Sequence, residues 1–309
     1  MISGPIKIGL VNLREKVRIA REGAHDTWRT LRWSSRVDNA FTPNDRWSLE
    51  CQMTKDYHRV EKGLALASPK RPFGEAVLAR LSSGTQSLEA GSVLQKQVMS
   101  AADALAAWNS SAKIDDKVAP VLAQIAAPKD ASIPSDNWFR SRHSVRNFSK
   151  STIPNTAEVT EAIALASSST PSVCNRQAWR AYVATDPLRV RHLLSLQNGN
   201  AGFRDSVPAV VVFTASRRLF AGAGERHQMY VDGALFAMST AWVLHARGLS
   251  SCMLNWSMGN SHSADLREAV GAEPDEEIIA MMAVGYAAID ARVARSPRRR
   301  SEDVVRIVK

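Results

Sequence analysis

The sequence predicts a mixed α/β or α+β protein carrying a helical N-terminal extension, and three observations lead there. Roughly the first 130 of the 309 residues show helical apolar spacing and no clear strand run. The stretch from Ala127 to Asp136 gathers two prolines among small polar residues and marks a linker. Beyond it, helical and strand signals alternate. The expected organisation is therefore a helical extension over residues 1–130, of unassigned role, followed by a second domain over residues 136–309.

Taken in order, the first clear helix begins at Asp45, a candidate N-cap, with Trp47, Met53, Tyr57, Val60 and Leu64 on one face, and ends near Ser68 and Pro69. Leu88, Val93, Leu94, Val98, Ala102, Leu105 and Ala106 predict another helix that stops before Asn109. Both apolar faces need a covering partner. Past the linker, a short helix holds Trp138 and Phe139, and a longer one runs through Val159 to Ala166. Strands are expected near Ala181 to Ala184 and Ala209 to Phe213. Tyr230 to His245 is apolar on nearly every side, which predicts a helix buried centrally or at a subunit interface. Glu277 to Ala287 reads as a core strand, and Val304 to Val308 as a terminal one.

Composition narrows the function classes. The longest apolar stretch, Ile278 to Ile289, carries a glycine and is too short to cross a bilayer, so neither a transmembrane helix nor a membrane partner is expected. Met1 to Leu10 lacks the long apolar region of a secretory signal, which leads to the expectation of a cytoplasmic protein. Cys51, Cys174 and Cys252 are odd in number and widely spaced, the pattern of reduced thiols rather than of a disulfide framework or a zinc site. A formal charge of +10 favours anionic partners without choosing among phosphates, nucleic acid and membrane surfaces.

Two segments carry the chemistry. In Arg142-His143-Ser144-Val145-Arg146-Asn147-Phe148, two arginines and a hydroxyl recur at every second position, so an extended backbone presents them together to one anionic ligand. As a bare segment it is more simply read as a solvated basic turn. Thr170 to Trp179 contains Pro171-Ser172-Val173-Cys174-Asn175-Arg176-Gln177-Ala178 between a helix and a strand, offering amide and guanidinium donors beside a tryptophan. Its alternative is an ordinary connection with Trp179 in the core.

In this order, about thirty residues apart, the two segments resemble the flavin-binding half of the nitroreductase family, which opens with Arg-x-Ser-x-Lys/Arg-x-Phe and continues with Pro-Ser-x-x-Asn-x-Gln-Pro-Trp. Ala178 stands where the second proline is usual. Gly248 to Cys252 and Val284-Gly285-Tyr286 agree with the resemblance, which covers residues 136–309. It implies an α+β, nitroreductase-like FMN-binding fold with a central, mostly antiparallel sheet flanked by helices, and a homodimer with FMN at the interface. By the same resemblance Arg142, Ser144 and Arg146 contact FMN, with Arg146 nearest the pyrimidine end of the ring, where a cation stabilises reduced flavin. Asn175 faces the cofactor, the backbone at Leu254 and Asn255 lines the ring near N5, and Arg298 or Arg300 meets the flavin phosphate. NADH or NADPH is the implied electron donor and a small molecule the second substrate.

Two other readings stand beside this one. A specialised flavin dehydrogenase or oxidase of a biosynthetic pathway would share the fold and dispense with NAD(P)H. A basic module for nucleic acid or anionic surfaces would use the Arg298 to Arg300 cluster, but the arginines lack aromatic interleaving and no nucleic-acid motif accompanies them. Gly222 to His227 begins like a dinucleotide fingerprint, yet His227 replaces the third glycine, and a Rossmann reading is rejected. Tyr57 to Leu64 is dense in hydrogen-bonding groups that could reach over the flavin pocket, although a solvated polar face explains them more simply.

Overall fold

Two strands of almost unbroken apolar sequence set the centre of the molecule. In this computed structural model, which describes residues 4–35, 45–121, 135–294, 296 and 298–308, with side chains from residue 13 onward, β2 (Ala209–Ser216) and β4 (Glu276–Gly285) are buried along nearly their whole length. Strands covered on both faces need such sequences. They pair antiparallel, and β1 (Trp179–Ala184) and β3 (Ser250–Asn255) add antiparallel at the edges, giving the order β1-β2-β4-β3. The α+β class expected from sequence is the class observed.

Alternation along the strands divides the core in two. Val210, Val212, Met281 and Ala283 face α7 (Pro187–Ser195) and α9 (Asn260–Val270), whose Val190, Leu193, Leu194 and Leu266 cover them. Val211, Phe213, Met282 and Val284 face α6 (Thr156–Ser169) and α8 (Gln228–Ala246) through Val159, Ala162, Phe236 and Ala241. Each fully buried side chain of this size contributes about 1.5–3 kcal/mol. One irregularity interrupts the pattern: Phe213 pairs with Ala280 and Thr214 with Ile278, leaving Ile279 as the extra residue of a bulge. Only a glycine at position 233 of α8 accommodates it, because a Cβ there would lie 2.6 Å from Ile279 Cγ1.

The N-terminal part is helical, with α1 (Gly4–Trp33), α2 (Arg46–Leu64), α3 (Glu75–Gly84) and α4 (Val93–Ser111). Asp45 caps α2 as expected, its carboxylate accepting from Ser48 N at 3.4 Å. The helix expected from Leu88 instead starts at Val93, capped by Ser92 at 3.2 Å, and runs past Asn109 to Ser111. Leu49, Met53, Val60, Leu64, Leu81, Val98 and Leu105 form a core of their own. The extension is also tied to the sheet. Arg29 of α1 donates to Glu277 of β4 at 2.6 Å, and Arg217 donates to the same carboxylate at 2.9 Å, all three residues being buried. The linker expected at residues 127–136 lies, up to residue 134, outside the described residues.

α8 is covered by its own chain on one face only: Phe236, Ala237 and Leu244 are buried, while Tyr230, Val231, Leu235 and Met238 remain exposed, so of the two placements expected for it, central burial is not the one observed. One expectation is corrected. The segment Val304 to Val308 is not a strand. A helical turn, α10 (Ser301–Val304), with Glu302 and Asp303 in its first turn, ends there, and Val305, Ile307 and Val308 are exposed without strand pairing. A strand needs a hydrogen-bonded neighbour, and among the described residues none reaches this segment.

Candidate functional site

Edge pairing builds the first half of the site. The short helix α5 (Asp136–Ser141) leads into an extended segment in which Ser144 bridges Ser251 of β3 and the Val145 N–H donates to the Ser251 carbonyl at 3.1 Å. Extended backbone turns Val145 into the core and carries Arg142, Ser144 and Arg146 to a common cavity of about 500 Å³. Arg140, His143 and Arg298 line the same cavity, with Phe139, Met238 and Trp242 as apolar walls. Four arginines thus line one space, and among the described residues its lining contains no carboxylate, an arrangement suited to a multiply charged oxyanion.

Aromatic packing fixes this wall. Arg142 lies over Trp242, its guanidinium carbon 5.7 Å from the ring centroid, and Trp138 stacks on Trp242 at 5.2 Å and meets His245 at a tilt at 5.3 Å. Phe139 meets Trp242 edge-on at 5.4 Å. Burial, joined by the nearby Arg142 and His143, holds the His245 pKa below its ordinary value. Behind Ser144, burial pushes the Cys252 thiol up, partly offset by Arg146 and Arg142.

A second half-site lies at the other end of α8. The loop from Ser172 to Gln177 places Cys174, Asn175 and Gln177 at φ of 49°, 55° and 48°, a left-handed conformation that non-glycine residues hold only with tertiary support. The support is specific. The buried Asp232 of α8 accepts from Val173 N at 3.1 Å and from Gln228 at 2.8 Å. Arg176 pairs with both oxygens of Glu225, at 2.7 and 2.8 Å, and donates to the Leu219 carbonyl at 2.9 Å. The Asn175 amide donates to the Tyr57 hydroxyl at 3.3 Å and accepts from Gln177 at 3.1 Å. Asp232 and Trp242 are ten residues apart on one helix, so the two half-sites are separated by about 15 Å along its axis.

The structure therefore joins Arg142, Ser144, Arg146 and Arg298 and leaves the other expected residues elsewhere in the single chain. Asn175 belongs to the second half-site. Arg300 turns to Asp303, with N–O distances of 3.3 Å, and does not line the cavity. Leu254 is buried in the core, and the Asn255 carbonyl accepts from Gln197 at 3.0 Å. Arg140, Met238, Trp242 and Asp232 line or support the candidate site and were not singled out in sequence, whereas Tyr57 belongs to the stretch that the sequence allowed to reach over the pocket. Met238 and Trp242, four apart on a helix with few polar residues, carry the one signal that could have pointed to a binding face.

The model of the nitroreductase family matches residues 139–196 and 188–286. The first 138 residues lie outside that match. No curated protein matches the chain. Solved structures similar to it include a nitroreductase family protein of Streptococcus pneumoniae, at 17% identity over 56% of this chain and 98% of that one with a TM-score of 0.47. An FMN-dependent nitroreductase of Clostridium difficile gives 16%, 56%, 98% and 0.47 for the same quantities. A nitroreductase-like family protein of Bacillus cereus gives 17%, 58%, 98% and 0.47.

Proposed function

We propose, from the premise that residues 139–286 belong to the nitroreductase family, that this protein is an FMN-dependent oxidoreductase in which NADH or NADPH reduces the flavin and a small molecule is the second substrate. The observation that carries the reading is the cavity in which Arg140, Arg142, Arg146 and Arg298 converge without a carboxylate. These residues fit FMN: guanidinium groups suit a phosphate, and Phe139, Met238 and Trp242 supply the apolar surface a flavin ring requires. Bound FMN would supply acceptance and donation of hydride. The chain's own groups would hold and orient it, Arg298 at the phosphate and Arg146 toward the pyrimidine edge.

The same reading makes the active form a homodimer. Exposed Val231, Leu235 and Met238 form a stripe along α8 from the Asp232 end toward Trp242. An antiparallel, two-fold pairing of α8 with its copy would cover that stripe. It would also set the arginine cavity at one end of the helix opposite the copy's Asn175 loop at the other end. Residues that are about 15 Å apart in one chain would then line one pocket.

Absorbance spectroscopy tests the function. The purified protein mixed with FMN is expected to retain a flavin spectrum through desalting, and anaerobic NADPH or NADH is expected to bleach it. Failure to retain flavin would remove the reading altogether. Retention with no bleaching by either nucleotide would instead favour a flavin dehydrogenase or oxidase that takes electrons directly from its substrate.

A further inference from the structure

Helix α1 contacts the rest of the molecule through one face only. Glu22 accepts from the backbone and side chain of Asn260, at 3.0 and 2.6 Å, Asp26 accepts from Asn260 at 3.3 Å, and Arg29 joins Glu277. On the opposite face stand Leu13, Val17, Ala20, Ala24, Trp28 and Leu31, all exposed, with 59%, 61%, 53% and 81% exposure at Leu13, Val17, Trp28 and Leu31. At 100° per residue these six positions fall within an arc of about 80° and form a ridge about 27 Å long. Among the described residues nothing covers it.

Charge is segregated around that ridge. All three carboxylates of the helix, Glu15, Glu22 and Asp26, lie on the docked side, where they line a cleft against α8 and the start of α9. One flank of the ridge is formed by Arg14, Arg21, His25 and Arg32, all exposed, and the other carries Lys16. Arg21 lies 3.6 Å from Glu22, and the Arg32 guanidinium carbon lies 4.8 Å from the Trp33 ring centroid, exposed contacts that leave both cations at the surface. Two copies of the helix packed antiparallel would align this flank with itself, arginine against arginine. An anionic surface meets no such repulsion.

We infer that α1 is an interfacial helix that lays its Leu13-to-Leu31 ridge into the surface of an anionic lipid bilayer, with Arg14, Arg21 and Arg32 at the headgroups. The sequence led to the expectation of neither a spanning segment nor a membrane partner; among the described residues no helix is long and apolar enough to cross a membrane, and an interfacial α1 departs from the second expectation alone. A helix lying in the interface is a different case: it needs one apolar face and basic edges rather than an apolar circumference. The docked face keeps its hydrogen bonds to Asn260 and Glu277 throughout, so the whole protein is carried to the surface.

Flotation of the full-length protein with vesicles tests this. Binding is expected to vesicles of one part phosphatidylglycerol to two parts phosphatidylcholine, with loss of binding on pure phosphatidylcholine or in high salt. A Val17→Asp/Leu31→Asp variant and an Arg14→Glu/Arg21→Glu/Arg32→Glu variant, all exposed positions, are expected to stay with the soluble fraction while keeping the far-ultraviolet circular dichroism of the parent. Equal recovery of parent and variants in the floating fraction overturns the inference, as does absence of binding by the parent. So does a parent that ignores vesicles but loses mass by light scattering when Val17 and Leu31 become aspartate, an outcome that assigns the ridge to a second copy.

Discussion

The hydroxyl of Tyr57, in the second helix, accepts a hydrogen bond from the Asn175 amide at 3.3 Å, across 118 positions of sequence. Tyr57 is buried, and Asn175 is held at positive φ. The N-terminal part of the chain thus anchors a loop of the candidate site. Tyr57→Phe removes the partner without removing the ring, and the expected cost is about 1 kcal/mol in denaturant unfolding. If Asn175 faces the flavin, FMN affinity falls by several fold in the same variant, as read by fluorescence titration.

The cavity arginines differ in what their loss should do. Arg142→Ala and Arg298→Ala each delete a charged donor from the cavity, and a charge-assisted bond of about 1.5–3 kcal/mol corresponds to a roughly ten- to hundredfold weaker FMN complex. Arg300→Ala, whose guanidinium pairs with Asp303, is expected to bind FMN as the parent does. Titration of the three variants separates the two candidate phosphate ligands.

Leu235→Arg places a charge in the middle of the exposed stripe of α8. The expected result is a monomer by light scattering, with normal circular dichroism and greatly reduced FMN retention. A monomer that still holds FMN would contradict a pocket shared between copies.

Acid stability should depend on Glu225. Burial alone would raise its carboxyl, but the Arg176 guanidinium and the Ala221 N–H override burial and hold the pKa below 4.5. A carboxyl depressed in the folded state contributes stability that is fully present above its unfolded pKa and lost as pH falls through the folded one. Glu225→Gln should therefore destabilise the protein at neutral pH, and the gap to the parent should close below pH 4.5, as followed by thermal unfolding across pH.

Glu277→Ala is expected to be the most damaging of these changes, because it leaves Arg29 and Arg217 buried without their shared carboxylate. Losses of about 3–5 kcal/mol are typical for a broken buried pair. Urea unfolding would measure it.

Much of this architecture is written in local pattern. β2 and β4 are legible because strands buried on both faces need continuous apolar runs, and Arg142, Ser144 and Arg146 are legible as a set because extended chain repeats every two residues. β3 is harder to read: Ser250 to Asn255 mixes polar and apolar residues at an edge, and its strand character comes from pairing with β4. Val304 to Val308 shows the converse, apolar residues of strand-forming type with no neighbour to pair with. Tyr57 reads in sequence as one of the apolar positions of its helix, and the hydrogen bond its hydroxyl makes is not legible there because its partner, Asn175, is distant in sequence. Asn175 itself resembles a cofactor ligand in sequence, yet the chain does not bring it to Arg142, since spacing along the sequence carries no record of which end of α8 a loop packs against.

The carboxylate of Glu277 has a consequence for how the chain can be divided. A fragment beginning after Trp33 would keep the β4 acid and Arg217 but lose Arg29, leaving the buried Glu277 carboxylate with one of its two arginines. Although the family match begins only at residue 139, the boundary of the cooperative folding unit therefore falls ahead of it. Heat is expected to melt helices and sheet in a single step, and a protease acting between them would release pieces unable to survive apart.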